Sequence, residues 1–213
     1  HVDVLMGTRG VIRACIPPAA RVAKCVRVTY DTTVLFDEMS NGGGIACDAE
    51  SAARMDADCM AVQTFIGAPG ESRSLELLSR TANAGERLGI PTLGVVAVGK
   101  QMERTEKFCL LATRVLAENG ANIVKSYYCD GFERVAAACP VPIVIAGGKK
   151  LPELEALDMA YRAISEGAHG VDMGRNIFQS DCPAGMAQAI GKVVHEGYTP
   201  KQAFEVYETV KHS

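Results

Sequence analysis

The sequence lacks any apolar run approaching the roughly 18 residues that a membrane-spanning helix needs, and it opens without a secretory signal pattern. The formal net charge is only -3 over 213 residues, so there is no strong field to attract nucleic acid or anionic lipid. These features argue against a membrane protein and against a nucleic-acid-binding protein. The 48% hydrophobic and 22% charged residues are instead typical of a soluble globular protein.

The cysteines and histidines also lack the spacing of metal ligands, although the chain has eight cysteines. No two cysteines form a C-x-x-C pair, and the four histidines are scattered rather than placed near a cysteine at zinc-ligand spacing. Several cysteines begin or end apolar runs, where a thiol behaves as a small hydrophobic group. We therefore expect free, largely buried thiols, no metal and no bound cofactor, in a protein of the reducing cytoplasm.

Short apolar runs rich in β-branched residues recur along the chain and are separated by helical patterns. They are continuous rather than alternating, which is typical of parallel strands buried on both faces. The predicted strands are Val2–Met6, Cys25–Tyr30, Cys59–Phe65, Thr92–Val98, Ile123–Tyr128, Val141–Ala146 and Gly170–Gly174. Apolar spacing and terminal glycines predict helices over residues 72–88, 103–119, 154–166, 183–196 and 200–212.

Strands that alternate with helices predict an α/β fold with a parallel sheet, either doubly wound or closed into a (β/α)8 TIM barrel. Seven strands are visible, whereas a barrel has eight strands in about 250 residues. Because the chain starts abruptly at His1 with a strand-like run, we expect a single barrel domain over residues 1–213 that lacks its first strand–helix unit. The long, glycine-rich connection Thr32–Gly44 would lie on the catalytic face of such a barrel.

Lys125 is the most informative residue, because it lies inside a run that is expected to be buried. Burial disfavours the ammonium form of lysine, and a neutral amine can attack a carbonyl group to form an imine. The alternative is a structural lysine that pairs with a carboxylate or reaches water at the strand end. Spacing alone leaves both interpretations open.

Two glycine turns follow the last two predicted strands. The first is Gly147-Gly148 with Lys149, and the second is Gly174 with Arg175. The loops after the last two strands of a barrel often bind phosphate, since glycine lets backbone N–H groups approach the oxygens closely. The alternative is that these glycines simply mark tight turns, but two turns with a cation each at both expected places favour phosphate binding.

Other polar residues at strand ends are weaker candidates. Lys100 could hold a substrate or influence Lys125, although a lone strand-end cation is more often solvated. Asp31 and Asp172 could transfer protons, or form a turn and an ion pair respectively. Tyr127 and Tyr128 are candidate acids, although aromatic strand residues more often belong to the core.

Three long runs resemble the DeoC/LacD class I aldolase family, and most of all its LsrF-like branch. They are IVKSYY at residues 123–128, CPVPIVIAGGKKLPE at 139–153 and GVDMGRNIFQS at 170–180. The opening DVLM with Thr8, Arg9, Gly10 and Arg13 is similar to the same branch. The resemblance implies a TIM barrel, a Schiff-base lysine at Lys125, phosphate binding by Gly147, Gly148, Gly174 and Arg175, and a homo-oligomer.

The LsrF-like branch transfers an acetyl group from 3-hydroxy-5-phosphonooxypentane-2,4-dione to coenzyme A, in autoinducer-2 breakdown. The resemblance therefore implies a phosphorylated keto substrate, with coenzyme A as co-substrate. Two departures bear on this. No segment matches the Phe-Asp-His-Gly end of the family's first strand, whose acidic residue transfers protons. The Thr92–Val98 run has no tyrosine, unlike the family's fructose-bisphosphate aldolases.

Three functional hypotheses follow. The LsrF-like thiolase is preferred over a class I fructose-bisphosphate aldolase, because the aromatic acid is lacking in Thr92–Val98. A non-catalytic phosphate-ligand binder or assembly subunit is the alternative from another class. In the first two hypotheses Lys125 forms the imine, the glycine turns hold phosphate, and Lys100 and Lys149 contribute positive charge.

Overall fold

The computed structural model describes residues 1–33, 35, 41–97 and 103–213. The first half contains β1 (Val4–Thr8), α1 (Arg9–Cys15), β2 (Ala23–Arg27), β3 (Thr29–Tyr30), β4 (Gly44–Ile45), α2 (Ala49–Ala53), β5 (Cys59–Thr64), α3 (Glu71–Leu88) and β6 (Thr92–Val96). The second half contains α4 (Glu106–Glu118), β7 (Ile123–Tyr127), α5 (Phe132–Ala138), β8 (Ile143–Ala146), α6 (Glu153–Ser165), β9 (Gly170–Asp172), α7 (Arg175–Phe178), α8 (Pro183–Glu196) and α9 (Pro200–Lys211).

Among the residues that the structure describes, seven strands form one parallel sheet in the order β1-β2-β5-β6-β7-β8-β9. Each strand lies beside the preceding sheet strand of the chain, so the sheet always grows in one direction. A doubly wound sheet reverses its strand order at a switch point, and a barrel does not. The predicted barrel architecture, with seven of the usual eight strands, is therefore confirmed. Within the described residues, β1 and β9 each have a single strand neighbour.

The predicted strands are shortened where the chain turns away from the sheet. The run expected at Cys25–Tyr30 leaves the parallel sheet after Arg27, and Thr29–Tyr30 pairs antiparallel with Gly44–Ile45 instead. The run expected from Val141 becomes a strand only at Ile143, after Pro142, which has no N–H for strand pairing. The predicted Thr92–Val98 and Thr32–Gly44 segments extend into residues outside the described ranges.

Hydrophobic residues fill both sides of the sheet. Outside, buried side chains of the helices pack on the strands; Leu78 of α3 and Leu116 of α4 are fully buried there with Val62 and Val124. Inside, a smaller cluster is formed by Cys25, Ala61 and Leu93, with partly buried neighbours on β5, β6, β7 and β8. This inner cluster forms the floor on which polar side chains at the strand ends are placed.

None of the helices in the described ranges combines the length and apolar character of a membrane span.

Candidate active site

The carboxyl ends of the parallel strands meet on one edge of the curled sheet, where the polar residues collect. Residues two apart on a strand face the same side. Ile123 of β7 belongs to the inner cluster, so Lys125 also faces the interior, in register with Val95 of β6 and Val144 of β8. The sheet thus supports Lys125 from both neighbouring strands.

Lys125 is paired with a carboxylate. Its Nζ lies 2.9 Å from Oδ2 of Asp172 at the end of β9, and the two side chains are only 14% and 25% exposed. The structure therefore matches the ion-paired alternative, and it also gives the amine a partner able to accept a proton. An amine must lose its proton before it attacks a carbonyl, so this contact is compatible with imine chemistry.

The two glycine turns lie side by side because Asn176 joins them. This side chain is fully buried; its Nδ2 donates to the Gly147 carbonyl at 2.8 Å, and its Oδ1 accepts from the Leu151 N–H at 2.7 Å. Sequence reasoning did not identify Asn176. A polar residue immediately after the Gly174-Arg175 turn was the available signal, since a buried amide needs backbone partners.

Both glycines of the first turn have a structural requirement. A Cβ atom at Gly147 would lie 2.8 Å from Nδ2 of Asn176 and 3.0 Å from Cγ of Met173, so no side chain fits there. Gly148 has φ of +63°, a left-handed conformation that other residues adopt only at a cost. The turn therefore brings backbone, rather than side chain, to the face next to Asp172.

The predicted cations around these turns differ in their surroundings. Arg175 and Lys149 are both exposed, and Lys100 lies outside the described residues. An unpredicted cation, Arg104, lies over the Tyr127 ring at 3.8 Å, and one guanidinium nitrogen is 3.4 Å from the position of a Cβ atom at Gly148. Arg104 therefore adds positive charge between β7 and the first glycine turn.

The other candidates from the sequence, Asp31 and Tyr128, both make hydrogen bonds within the protein. Asp31 accepts the Thr32 N–H at 2.7 Å, as expected of a turn-forming residue. Tyr128 donates to Glu166 at 2.7 Å, and burial together with this bond raises the pKa of Tyr128 to about 12. Burial also raises the pKa of Cys129 to about 12, which keeps it a thiol rather than a nucleophilic thiolate.

Two cysteines lie beside each other on the floor of the site. Cys25 of β2 and Cys59 of β5 are register partners. A side-chain hydrogen bond with the Cys59 thiol and burial raise the pKa of Cys25. The negative charge of Asp172 raises this pKa further, while the positive charge of Lys125 lowers it. The Cys25 thiol therefore stays protonated. Cys25 packs in the inner cluster with Ile123 of β7 and Val144 of β8, so the inner face of β2 shares the interior with Lys125.

A third polar group, also missed from the sequence, stands at the ends of β2 and β5. Arg27 donates from Nη2 to Oε1 of Gln63 at 2.6 Å, and its Nε is buried with no hydrogen-bond partner in the described part of the chain.

Across the described residues, no three His, Cys, Asp or Glu side chains are grouped closely enough to hold a metal ion.

The chain is similar in sequence to known aldolases. The model of the DeoC/LacD family aldolases matches residues 17–180. An uncharacterized aldolase of Pasteurella multocida is 49% identical over 208 residues, which cover 97% of this chain and 71% of that protein. The 3-hydroxy-5-phosphonooxypentane-2,4-dione thiolase of Escherichia coli K12 is 47% identical over 212 residues, covering 99% of this chain and 72% of the thiolase.

Solved structures show the same fold at lower identity. A fructose-bisphosphate aldolase from Slackia heliotrinireducens superposes with a TM-score of 0.85 at 20% identity, covering 97% of this chain and 72% of that one. An archaeal fructose 1,6-bisphosphate aldolase superposes with a TM-score of 0.82 at 22% identity, covering 92% of this chain and 79% of that one.

Proposed function

Since this chain belongs to the DeoC/LacD family of aldolases, we propose that it is an LsrF-like thiolase that cleaves 3-hydroxy-5-phosphonooxypentane-2,4-dione. Its acetyl group passes to coenzyme A, and dihydroxyacetone phosphate is released. The observation that carries the proposal is the Lys125–Asp172 pair inside the sheet, at 2.9 Å. Support for the substrate comes from the 47% identical thiolase of Escherichia coli.

Lys125 supplies the electron sink. Asp172 takes up the ammonium proton, the amine adds to the ketone next to the phosphorylated carbon, and loss of water leaves a protonated imine. The coenzyme A thiol then loses its proton to water, and its sulfur adds to the carbon of the acetyl carbonyl. Collapse of this adduct breaks the bond between the acetyl carbon and the carbinol carbon, and the electron pair passes into the imine as an enamine. Protonation of the enamine and hydrolysis release dihydroxyacetone phosphate and free Lys125.

The phosphate group is assigned to the two glycine turns. Gly147 is buried, Gly148 is half-buried and Gly174 is exposed, and the exposed cations Lys149 and Arg175 directly follow Gly148 and Gly174 in the chain. Asn176 holds the turns in a fixed relation, so their N–H groups need not be ordered by the ligand. Lys100 stays in the proposal as a contributor of charge.

Several further expectations accompany this function. The protonated imine accepts the electron pair of the broken carbon–carbon bond, so the reaction as proposed uses no resident cofactor. Coenzyme A enters as a co-substrate. We also propose that residues 1–213 form one domain, and that the protein is a cytoplasmic homo-oligomer.

A class I fructose-bisphosphate aldolase is less well supported. Strand β6 (Thr92–Val96) contains no tyrosine that could serve as the aromatic acid of those enzymes. The likeness to solved bisphosphate aldolases, at 20% and 22% identity, concerns the fold. A non-catalytic phosphate binder would not need a lysine beside a carboxylate within the sheet.

Reductive trapping tests the proposal. The full chain is incubated with dihydroxyacetone phosphate and borohydride, and the modified peptide is identified by mass spectrometry. We expect the reduced triose phosphate on Lys125, with loss of the adduct in Lys125→Met and its retention in Lys201→Met, a control that removes an exposed lysine of α9. An unmodified wild-type Lys125 would overturn the proposal, and an adduct on Lys149 would move the nucleophile.

A substrate assay separates the thiolase from the aldolase. Wild-type protein should form acetyl-coenzyme A from the phosphorylated dione and leave fructose 1,6-bisphosphate intact. Efficient cleavage of the bisphosphate, without acetyl transfer, would favour the aldolase. Ligand-dependent thermal stabilisation without an imine would favour the non-catalytic binder.

A further inference from the structure

Arg27 lies on the inner face of the sheet at the end of β2, away from the glycine turns. Cys25, two residues earlier, belongs to the inner cluster, so Arg27 faces the same side. In the sheet order, β2 is separated from β8 and β9 by β5, β6 and β7. Arg27 on β2 and Lys125 on β7 therefore face one interior, and β2 pairs with β1 and β5 rather than with the strands that precede the glycine turns.

The guanidinium of Arg27 is held by one hydrogen bond but has a further N–H donor without an acceptor. Gln63 accepts from Nη2 at 2.6 Å, while Nε is buried and unpaired among the described residues. Asp172 contacts Lys125, and none of the ion pairs found between described residues includes Arg27. A buried charged donor without an acceptor is unfavourable, so a ligand oxygen that reached this position would bind there well.

The proposed substrate carries an oxygen at the matching end. With its phosphate on the glycine turns and its adjacent ketone on Lys125, the acetyl carbonyl is the group that extends away from β8 and β9. During acetyl transfer, the electron pair of this carbonyl moves onto its oxygen when the thiol adds. A fixed N–H donor aimed at that oxygen stabilises the charge as it develops.

We propose that Arg27, oriented by Gln63, binds the acetyl carbonyl oxygen and stabilises the oxyanion formed when coenzyme A adds to it. This inference rests on the proposed thiolase function and assigns the second half of its site. Arg27 is then a catalytic residue of the acetyl-transfer step, and Gln63 is a positioning residue. Neither acts in imine formation at the other ketone.

Dihydroxyacetone phosphate separates the two halves of the site, because it has the phosphate and the imine-forming ketone but no acetyl group. In Arg27→Met we expect acetyl transfer to fall by about 100-fold or more in kcat, the loss seen when an oxyanion donor is removed. Borohydride trapping of dihydroxyacetone phosphate on Lys125 should stay at the wild-type level. Arg27→Lys keeps the charge and should recover part of the lost kcat.

Matched controls make the outcome decisive. Arg80→Met removes a surface arginine whose partner is Glu76 and should leave both readouts unchanged. Gln63→Leu should lower kcat for acetyl transfer without changing trapping. Wild-type acetyl transfer in Arg27→Met, or an equal loss of transfer and of trapping in a variant that melts like the wild type, would overturn the assignment. Failure of trapping in the wild type would instead overturn the thiolase proposal itself.

Discussion

At the scale of single residues, Lys125 illustrates how a charge can be kept inside a sheet. The side chain is 14% exposed, and its ammonium is balanced by Asp172 rather than left in an apolar pocket. Removing one member of such a pair leaves the other charge uncompensated, which is costly. In the proposed reaction, Asp172 accepts through this same contact the proton that the amine must lose.

The glycine turns give a prediction at this scale. Gly148 and Gly197 both have left-handed backbone, with φ of +63° and +68°. Alanine at either position should lower the free energy of unfolding by about 1–2 kcal/mol, the cost of placing a Cβ atom in that conformation. Only Gly148→Ala should weaken the binding of dihydroxyacetone phosphate, because Gly197 caps α8 far along the chain from the turns.

Calorimetric titration with dihydroxyacetone phosphate, together with thermal unfolding, provides the measurement. Gly197→Ala serves as the control for backbone strain. Equal affinity of Gly148→Ala and Gly197→Ala for the ligand would argue against a phosphate site at the first glycine turn.

At the scale of elements, long helices were predictable and short ones were not. The pattern at residues 72–88 corresponds to α3 (Glu71–Leu88), and the one at 183–196 to α8 (Pro183–Glu196). Their apolar faces repeat over several turns and end in Gly89 and Gly197. The five to seven residues of α1, α2 and α5 span too few turns to show such a repeat, and their helical state depends on packing against the sheet.

The start of α6 gives a prediction for pH dependence. Lys150 Nζ lies 2.7 Å from Oε1 of Glu153, and this contact holds the pKa of Glu153 below its ordinary 4.5. A carboxylate with a lowered folded-state pKa stabilises the protein above its unfolded pKa, and the contribution is lost as pH falls through the folded value. Wild type should therefore be more stable than Glu153→Gln at neutral pH, and the difference should shrink below about pH 4.5.

Denaturant unfolding of both proteins between pH 3 and pH 7, about the range in which carboxylates titrate, measures this difference. Glu155→Gln removes a charge from the same helical turn without touching the Lys150 contact, and it controls for the change in net charge. A stability difference for Glu153→Gln that stayed constant across the range would contradict the role assigned to the pair.

At the scale of the whole molecule, the site is assembled from strands that are distant in sequence. Asp172 reaches Lys125 from β9, and Gln63 reaches Arg27 from β5, because parallel strands present their carboxyl ends at one edge. The same curling of the sheet buries thiols on both of its faces, Cys25 inside and Cys47 and Cys109 outside.

Thiol labelling tests this arrangement. Maleimide should modify the exposed Cys15 of the native protein first, and should modify the buried Cys25, Cys47, Cys109 and Cys129 far more slowly. Burial limits access of the reagent and also raises the pKa of Cys47, Cys109 and Cys129, so little reactive thiolate is present. In denaturant all eight cysteines should react at similar rates, and early labelling of Cys25 in the native protein would contradict an interior inner face of β2.

The sequence by itself determined the alternation of strands and helices, the barrel class and the position of Lys125 within β7. These features depend on local hydrophobic patterns and on long motifs, which can be identified in the chain without knowing which residues contact each other in the fold. Only the tertiary structure decided which groups meet. Asp172 could have paired with any cation, Asn176 was an ordinary polar residue after a turn, and Arg27 was one arginine at a strand end. Their partners lie 47, 29 and 36 residues away in the chain, counted to Lys125, Gly147 and Gln63, and only the curling of a parallel sheet brings such separated side chains together.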